Sequence, residues 1–409
     1  MRRALLLTLL ALSALVPVQA AQAGLKSSLT AQMRQAGSHS GAYVMNLSTG
    51  EQVFAWRAGV PRVLASNAKL FVSAAALARF GTEGTLGTEL LGRGELGEDG
   101  IWRGDLYLRG GGDPTFGSRR FATRSYGGGA TVEELAALVD EAGIERVTGR
   151  VYGDESRHDS LRGGPYSAFG VSIWVGPLSA LSFNRGLATE SGAGYQPSPP
   201  AFAAARLDAA LEARGIRVRL KPRAGTAPAG APVLASVESP PMETLVRLMN
   251  KPSDNFFAEM LLKDLAMQAG GVGTTAAGAR VAAGFARGLG AHVRLADGSG
   301  LSRRNRASPY RVVRLLAAMT GREEHDAFLG SLPVAGRDGT LKNRMRSGLA
   351  RSRCVGKTGT LSNVSALSGY CEVLGGDTYG YSILMNGVYT SGARVLQDRM
   401  VQAIARGLG

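Results

Sequence analysis

The sequence predicts a mixed α/β chain of the α+β kind, in which a mostly β module interrupts a larger unit. Three observations predict it. A helical stretch over Ser66–Phe80 comes early, with apolar Leu70, Phe71, Ala74 and Leu77 at helical spacing. From Thr82 to Pro240 glycine is dense, strands are short, and turn signals recur at Gly110-Gly111-Gly112-Asp113-Pro114, Gly127-Gly128-Gly129 and Ser198-Pro199-Pro200. Helical signals return at Met242, and antiparallel strands gather late, over Arg353–Leu361, Val364–Val373 and Thr378–Leu384. The expected division is therefore 24–81 with 241–409 as one unit split in sequence, and 82–240 as the insert.

The elements follow in order. Met1-Arg2-Arg3, the apolar run Ala4–Val16 and the small residues of Ala21-Gln22-Ala23 predict a cleaved signal peptide over 1–23. An uncleaved anchor is the alternative, but the run falls short of the roughly 18 residues a spanning helix needs. Either way the body of the chain is expected outside the cytoplasm, in the periplasm or extracellular envelope. Leu25–Gln35 reads as an amphipathic helix, and Ala42–Leu47 and Gln52–Trp56 as a hairpin joined by Ser48-Thr49-Gly50-Glu51. Within the insert, Val132–Ala142 and Ala201–Ala213 are helical, and Ala224–Pro232 reads as a linker leading out. Met242–Met249 and Asn255–Met267 are helices on either side of a break at Lys251-Pro252-Ser253-Asp254, and Gly392–Arg406 is a closing helix.

Composition excludes some classes. With 409 residues, 44% hydrophobic and 19% charged, the chain can bury a sizeable core and is not a disordered protein. The net charge of +15 admits two readings: an arginine-rich composition habit, which is the simpler, and peripheral association with an anionic envelope surface. Nucleic acid is not an expected partner, because an exported chain seldom meets it and no binding motif occurs. The four histidines show no metal-ligand spacing, so no metal or cofactor is expected. Gly92-Arg93-Gly94-Glu95-Leu96-Gly97 matches a dinucleotide fingerprint only in letters; it reads as turns. Trp174 and Arg303 suit peptide contact no better than packing or surface roles.

Three short motifs carry chemistry: Ser66-Asn67-Ala68-Lys69, Ser253-Asp254-Asn255, and Lys357-Thr358-Gly359 followed by Thr360. A serine hydroxyl needs a base within hydrogen-bond reach to attack at neutral pH, and positions i and i+3 share a helix face, so Lys69 reaches Ser66. Lysine serves as a base only if its pKa falls, through burial or a nearby cation such as Lys357. The chain holds seven lysines against forty arginines, and two of the seven stand at motif positions, where arginine cannot give up its proton. Ser253 is the candidate proton relay and Asn255 the partner of Lys69 and of the substrate amide; alternatively, Ser253-Asp254 caps the next helix. Lys357 and Thr358 suit a terminal carboxylate, and Gly359 permits close approach of a substrate strand. The backbone N–H groups of Ser66 and Thr360 are the candidate oxyanion hole.

With these residues in hand, the chain resembles the low-molecular-mass penicillin-binding proteins of the S13 peptidase family, the D-Ala-D-Ala carboxypeptidase/endopeptidase group. The segments Leu64–Leu70, Gly110–Thr115, Leu181–Asn184, Lys251–Asn255, Asp297–Arg303, Asp338–Leu341 and Lys357–Leu361 all follow the family's pattern. The resemblance implies a penicillin-recognising, β-lactamase-like domain split by an insertion after the serine helix, and Ser66 and Ser253 stand 187 residues apart. It implies an acyl-enzyme on Ser66, peptidoglycan stem peptides as substrate, and β-lactams as covalent inhibitors. Leu64 departs from the family's usual proline, and the insert is short for a nested third domain.

Two other readings compete. A β-lactamase of the class A kind would carry an E-x-x-L-N loop, which the sequence lacks. A catalytically silent wall-binding or sensor module would not need Ser66, Lys69, Ser253, Asn255 and Lys357 intact. Lastly, a two-residue turn at Ser362-Asn363 would set Cys354 opposite Cys371, close enough for a disulfide in an oxidising compartment; a longer loop would shift that register.

Overall fold

The computed structural model describes residues 22–407. The expected signal peptide falls outside them except for its last two residues, which open helix α1 (22–35). Then come β1 (Ser40–Asn46), β2 (Gln52–Trp56), β3 (Arg62–Val63), a 3₁₀ turn at Ala65–Asn67 and α2 (Ala68–Phe80). The next stretch holds β4 (Gly87–Leu96), β5 (Ile101–Arg109), α3 (Arg119–Tyr126), α4 (Val132–Glu141), β6 (Arg146–Val147), β7 (Val151–Asp154), α5 (Pro199–Glu212), β8 (Arg217–Val218), β9 (Arg223–Ala224) and β10 (Val233–Glu238). The chain continues through α6 (Met242–Asn250), α7 (Asn255–Gln268), α8 (Thr275–Gly288), β11 (Arg306–Ala307), α9 (Pro309–Met319) and α10 (His325–Ser331). It closes with β12 (Cys354–Leu361), β13 (Val364–Glu372), β14 (Thr378–Asn386) and α11 (Thr390–Arg406). Among the described residues no helix is long and apolar enough to cross a membrane.

Two sheets organise the chain. The first is antiparallel, in the order β12-β13-β14-β1-β2, so that β12 is an edge strand. Its central strands are buried on both faces, as alternation requires when both are covered. Leu367, Cys371 and Ile383 pack with α1 and α11, while Ala366, Tyr370 and Leu384 pack with α2, α6 and α7. Every residue from Ala68 to Leu77 is buried, so α2 is a central helix apolar nearly all round. It ends at Gly81, whose φ of 78° suits glycine.

The second sheet takes the order β10-β4-β5-β6-β8, with β7 on β5 and β9 on β7. β4 pairs antiparallel with its neighbours, whereas β6 to β9 pair parallel. Leu135, Val139, Leu207 and Leu211 of α4 and α5 fill a core against it. α4 starts in a capping box in which Thr131 and Glu134 satisfy each other's backbone N–H.

Two expectations need correction. Gly92–Leu96 is not a turn but the end of β4; a Cβ at Gly92 would lie 2.3 Å from the Trp102 ring, so glycine is required by packing. Residues 225–232 do not lead out of the insert: they join β9 to β10 within the second sheet.

Candidate active site

Ser66 lies in the tight turn that leads into α2, between Ala65 with a φ of 46° and the start of that helix. The entry is held at Leu64, whose N–H donates to the Asn305 carbonyl at 3.1 Å, a bond that proline could not make. Gly300 closes against the same turn: a Cβ there would lie 2.0 Å from Ala65 O and 2.8 Å from Ser66 N. Its φ of +88° also favours glycine.

One turn into the helix, the fully buried Lys69 donates to Ser66 Oγ at 3.1 Å, to Asn255 Oδ1 at 2.8 Å and to the Ser299 carbonyl at 2.5 Å. Burial pulls its pKa down to about 8, against the opposing pull of Asp254, Glu259 and Asp297. The expected cause, a neighbouring cation, acts in the other direction: burial, and then the charge of Lys69, pushes Lys357 well below its usual value.

The second motif lies in the break between α6 and α7, where Ser253 takes a φ of 64°. Asp254 caps α7 by accepting from Phe257 N at 3.1 Å, while Ser253 Oγ accepts from Lys357 Nζ at 2.8 Å. Arg185 grips Asp254 at 2.6 and 3.2 Å and lies over the rings of Phe256 and Phe257. The Asn255 side chain, bound to Lys69 on one side, donates to the Trp174 carbonyl at 3.1 Å on the other.

Lys357, Thr358, Gly359 and Thr360 run along the edge strand β12, where an added strand can pair. Gly359 passes so near the serine turn that a Cβ would lie 2.9 Å from Ser66 N. Asn67 donates to the Lys357 carbonyl at 2.8 Å and accepts from Ser368, which fixes helix and strand together. Ser66, Ser253, Thr358, Gly359 and Thr360 line a cleft of about 490 Å³, joined by Thr340 and Arg394. Thr358 Oγ1 meets Thr340 Oγ1 at 2.7 Å, and Arg394 donates to Thr360 Oγ1 at 3.1 Å.

The structure thus brings all eight sequence-derived residues to one place, and adds others. Ser299, Glu259, Asp297, Arg185 and Arg394 were not assigned roles from sequence. Ser299 and Asp297 fall in a segment that follows the family pattern, which was their available signal. Asp297 accepts from Gly300 N and Ser302 N, Glu259 accepts from Ser299 N, and together they shape the loop whose carbonyl holds Lys69. Both carboxyls are buried, and burial raises both pKa values. The hairpin register is as the two-residue turn predicts: Leu361 pairs with Val364, and Cys354 with Cys371, to which it is disulfide-bonded.

Comparison with known proteins agrees with this geometry. The chain is 30% identical over 455 residues to a D-alanyl-D-alanine carboxypeptidase of Actinomadura sp. (strain R39), covering 91% of this chain and 82% of that protein. It is 28% identical over 387 residues to carboxypeptidase DacB of Mycolicibacterium smegmatis, covering 90% and 80%. Its fold is similar to that of penicillin binding protein 4 (dacB) from Haemophilus influenzae, with a TM-score of 0.76 at 19% identity over 91% of this chain and 97% of that one. The pattern of the D-Ala-D-Ala carboxypeptidase 3 (S13) family matches residues 22–190 and 194–407, nearly everything described. On that match and on the serine–lysine geometry, the chain belongs to the S13 family of serine peptidases.

Proposed function

We propose that the chain is a serine-type D-Ala-D-Ala carboxypeptidase/endopeptidase that acts on peptidoglycan stem peptides through an acyl-enzyme on Ser66. The observation that carries this reading is the 3.1 Å contact between the buried Lys69 amine and the Ser66 hydroxyl. Neutral Lys69 takes the hydroxyl proton as Ser66 Oγ attacks the carbonyl carbon of the penultimate D-Ala. Charge then develops on the carbonyl oxygen, toward which the N–H groups of Ser66 and Thr360 are directed in this reading. As the C–N bond breaks, the leaving amine receives a proton through Ser253. Water then attacks the ester, and Ser66 regains its proton.

Asn255 holds Lys69 and meets the substrate amide. Lys357 and Thr358 take the terminal carboxylate, whose arrival favours the charged form of Lys357. Gly359 lets the substrate lie along the edge of β12. β-Lactams follow the same first step, but their ring keeps the leaving amine tethered, so the acyl-enzyme persists.

In the same reading residues 1–23 are a cleaved signal peptide and the protein is exported. Residues 24–81 and 241–409 form the peptidase unit, and 82–240 the insert. The net charge of +15 supports contact with an anionic envelope surface. The test is labelling with a fluorescent penicillin, together with digestion of purified peptidoglycan and identification of the products by mass. Wild type labels and releases D-Ala, and Ser66→Ala does neither; a folded wild type that fails to label overturns the assignment.

A further inference from the structure

Away from the acyl site, four arginines border one cleft of about 530 Å³: Arg57, Arg62, Arg303 and Arg306. No Asp or Glu lines it. Among the described residues none of the four is in an ion pair, and it is their convergence on one cleft without a carboxylate, rather than the lack of a pair alone, that marks the place.

The charge is built in rather than incidental. Arg62 is only 4% exposed, and its donors go to backbone carbonyls alone: His39 at 2.8 Å, Val60 at 2.7 Å and Ser40 at 2.7 Å. Those bonds satisfy its N–H groups without cancelling its charge. Burial, with Arg57 beside it, disfavours the charged form, so a buried cation stands here without a protein counter-charge. Arg57 likewise donates only to the carbonyls of Gly37 and Ser38. Arg306 follows from the pairing of β11 with β3, which sets Arg306 opposite Val63 and Ala307 opposite Arg62. Arg303 reaches the Ser362 carbonyl at the tip of the β12–β13 hairpin. β3, which carries Arg62, runs on to Ser66 three residues after Val63.

We propose that this cleft binds a phosphate-bearing group of sugar-phosphate size. Arg303 and Arg306 are the forks that can match phosphate oxygens in pairs, while Arg57 and Arg62, committed to backbone carbonyls, add positive charge beside them. Four uncompensated cations favour a dianion over a single carboxylate, and the volume lies in the range of small-ligand sites rather than of one ion. The proposal narrows the envelope contact named above to one cleft, and it is independent of the peptidase chemistry.

The experiment is calorimetric titration of the full mature chain with glucose 6-phosphate, alongside glucose and glucuronate, at fixed ionic strength. Glucose 6-phosphate binds, glucose does not, and glucuronate binds at least several-fold more weakly. Affinity falls as salt rises. Arg306→Glu weakens the sugar phosphate about tenfold or more, the scale of one charge-assisted bond. Arg303→Gln serves in its place if Arg306→Glu does not fold by circular dichroism. Penicillin labelling in parallel reports on the acyl site alone, so failure of either reading is seen separately. No binding of glucose 6-phosphate, equal binding of glucuronate, or unchanged affinity in the folded variant overturns the proposal.

Discussion

Lys357 donates to Ser253 Oγ at 2.8 Å, across 104 residues of sequence. This bond ties the edge strand β12 to the break between α6 and α7. Lys69 makes the matching link on the other side, donating to Ser66 Oγ and, across 186 residues, to Asn255 Oδ1. The nucleophile therefore stands between two buried lysines, one able to take its proton and one able to orient the hydroxyl that returns it.

Ser253→Ala should slow acylation roughly 10²–10⁴-fold, the usual cost of losing a positioned proton-transfer group. Stopped-flow measurement of acylation by a chromogenic cephalosporin reads this directly. A rate near that of wild type would remove Ser253 from the proton path and leave it as a partner of Lys357.

Acylation should rise with pH through the pKa of Lys69, which lies at about 8. The sign follows from the base: only the neutral amine accepts the serine proton, so activity is gained as the ammonium deprotonates. Without burial that limb would lie near 10.5, the ordinary value for lysine and beyond the useful range. Lys69→Arg should abolish acylation while the fold survives, since arginine keeps the charge and cannot act as base. A pH–rate profile of kcat/KM for wild type, with labelling of the variant, checks both.

Amidating the substrate's C-terminus should cost wild type about 10- to 150-fold in kcat/KM, the worth of a charge-assisted hydrogen bond of roughly 1.5–3 kcal/mol. In Lys357→Ala the acid and the amide should react at similar low rates, whereas Arg394→Ala should keep the difference. The comparison isolates the pair from general loss of activity. The reverse pattern would give the carboxylate to Arg394, which already donates to Thr360 Oγ1 at 3.1 Å.

Gly300→Ala should damage the site without touching a motif residue. Its new Cβ would need the space of Ala65 O, 2.0 Å away, and would press on Ser66 N at 2.8 Å. The left-handed φ adds about 1–2 kcal/mol of strain. Displacing the nucleophile by about 1 Å costs on the order of 10²-fold. Acylation kinetics and denaturant midpoint should therefore both fall.

Unreduced protein should show no free thiol, because Cys354 is bonded to Cys371. Replacing both by alanine should cost about 3 kcal/mol in chain entropy for a loop with a sequence separation of 17. Thiol titration and urea unfolding test the two statements.

Much of this was legible along the chain because the geometry involved is local. An i, i+3 spacing on a helix sets Lys69 beside Ser66, and a two-residue turn sets Cys354 opposite Cys371 whatever surrounds them. Val132, Met242 and Asn255 begin helices where caps and periodicity said they would, and Gln52–Trp56 is a strand as expected. The pairing of β3 with β11 was not legible, since two-residue strands carry no period. Nor was the role of Ser299, whose carbonyl meets Lys69 across 230 residues.

By itself, then, the sequence determined which groups have the right chemistry: a serine, two lysines where arginine would fail, and a glycine beside an edge strand. Only the tertiary structure decided what state those groups are in. The Lys69 pKa of about 8 comes chiefly from burial within α2 and its neighbours, and burial belongs to the packed chain, not to any spacing. The unpaired arginines around Arg62 are of the same kind. Forty arginines are visible in the sequence, but which four of them border one cleft that no carboxylate lines is settled by how β3 and β11 pack.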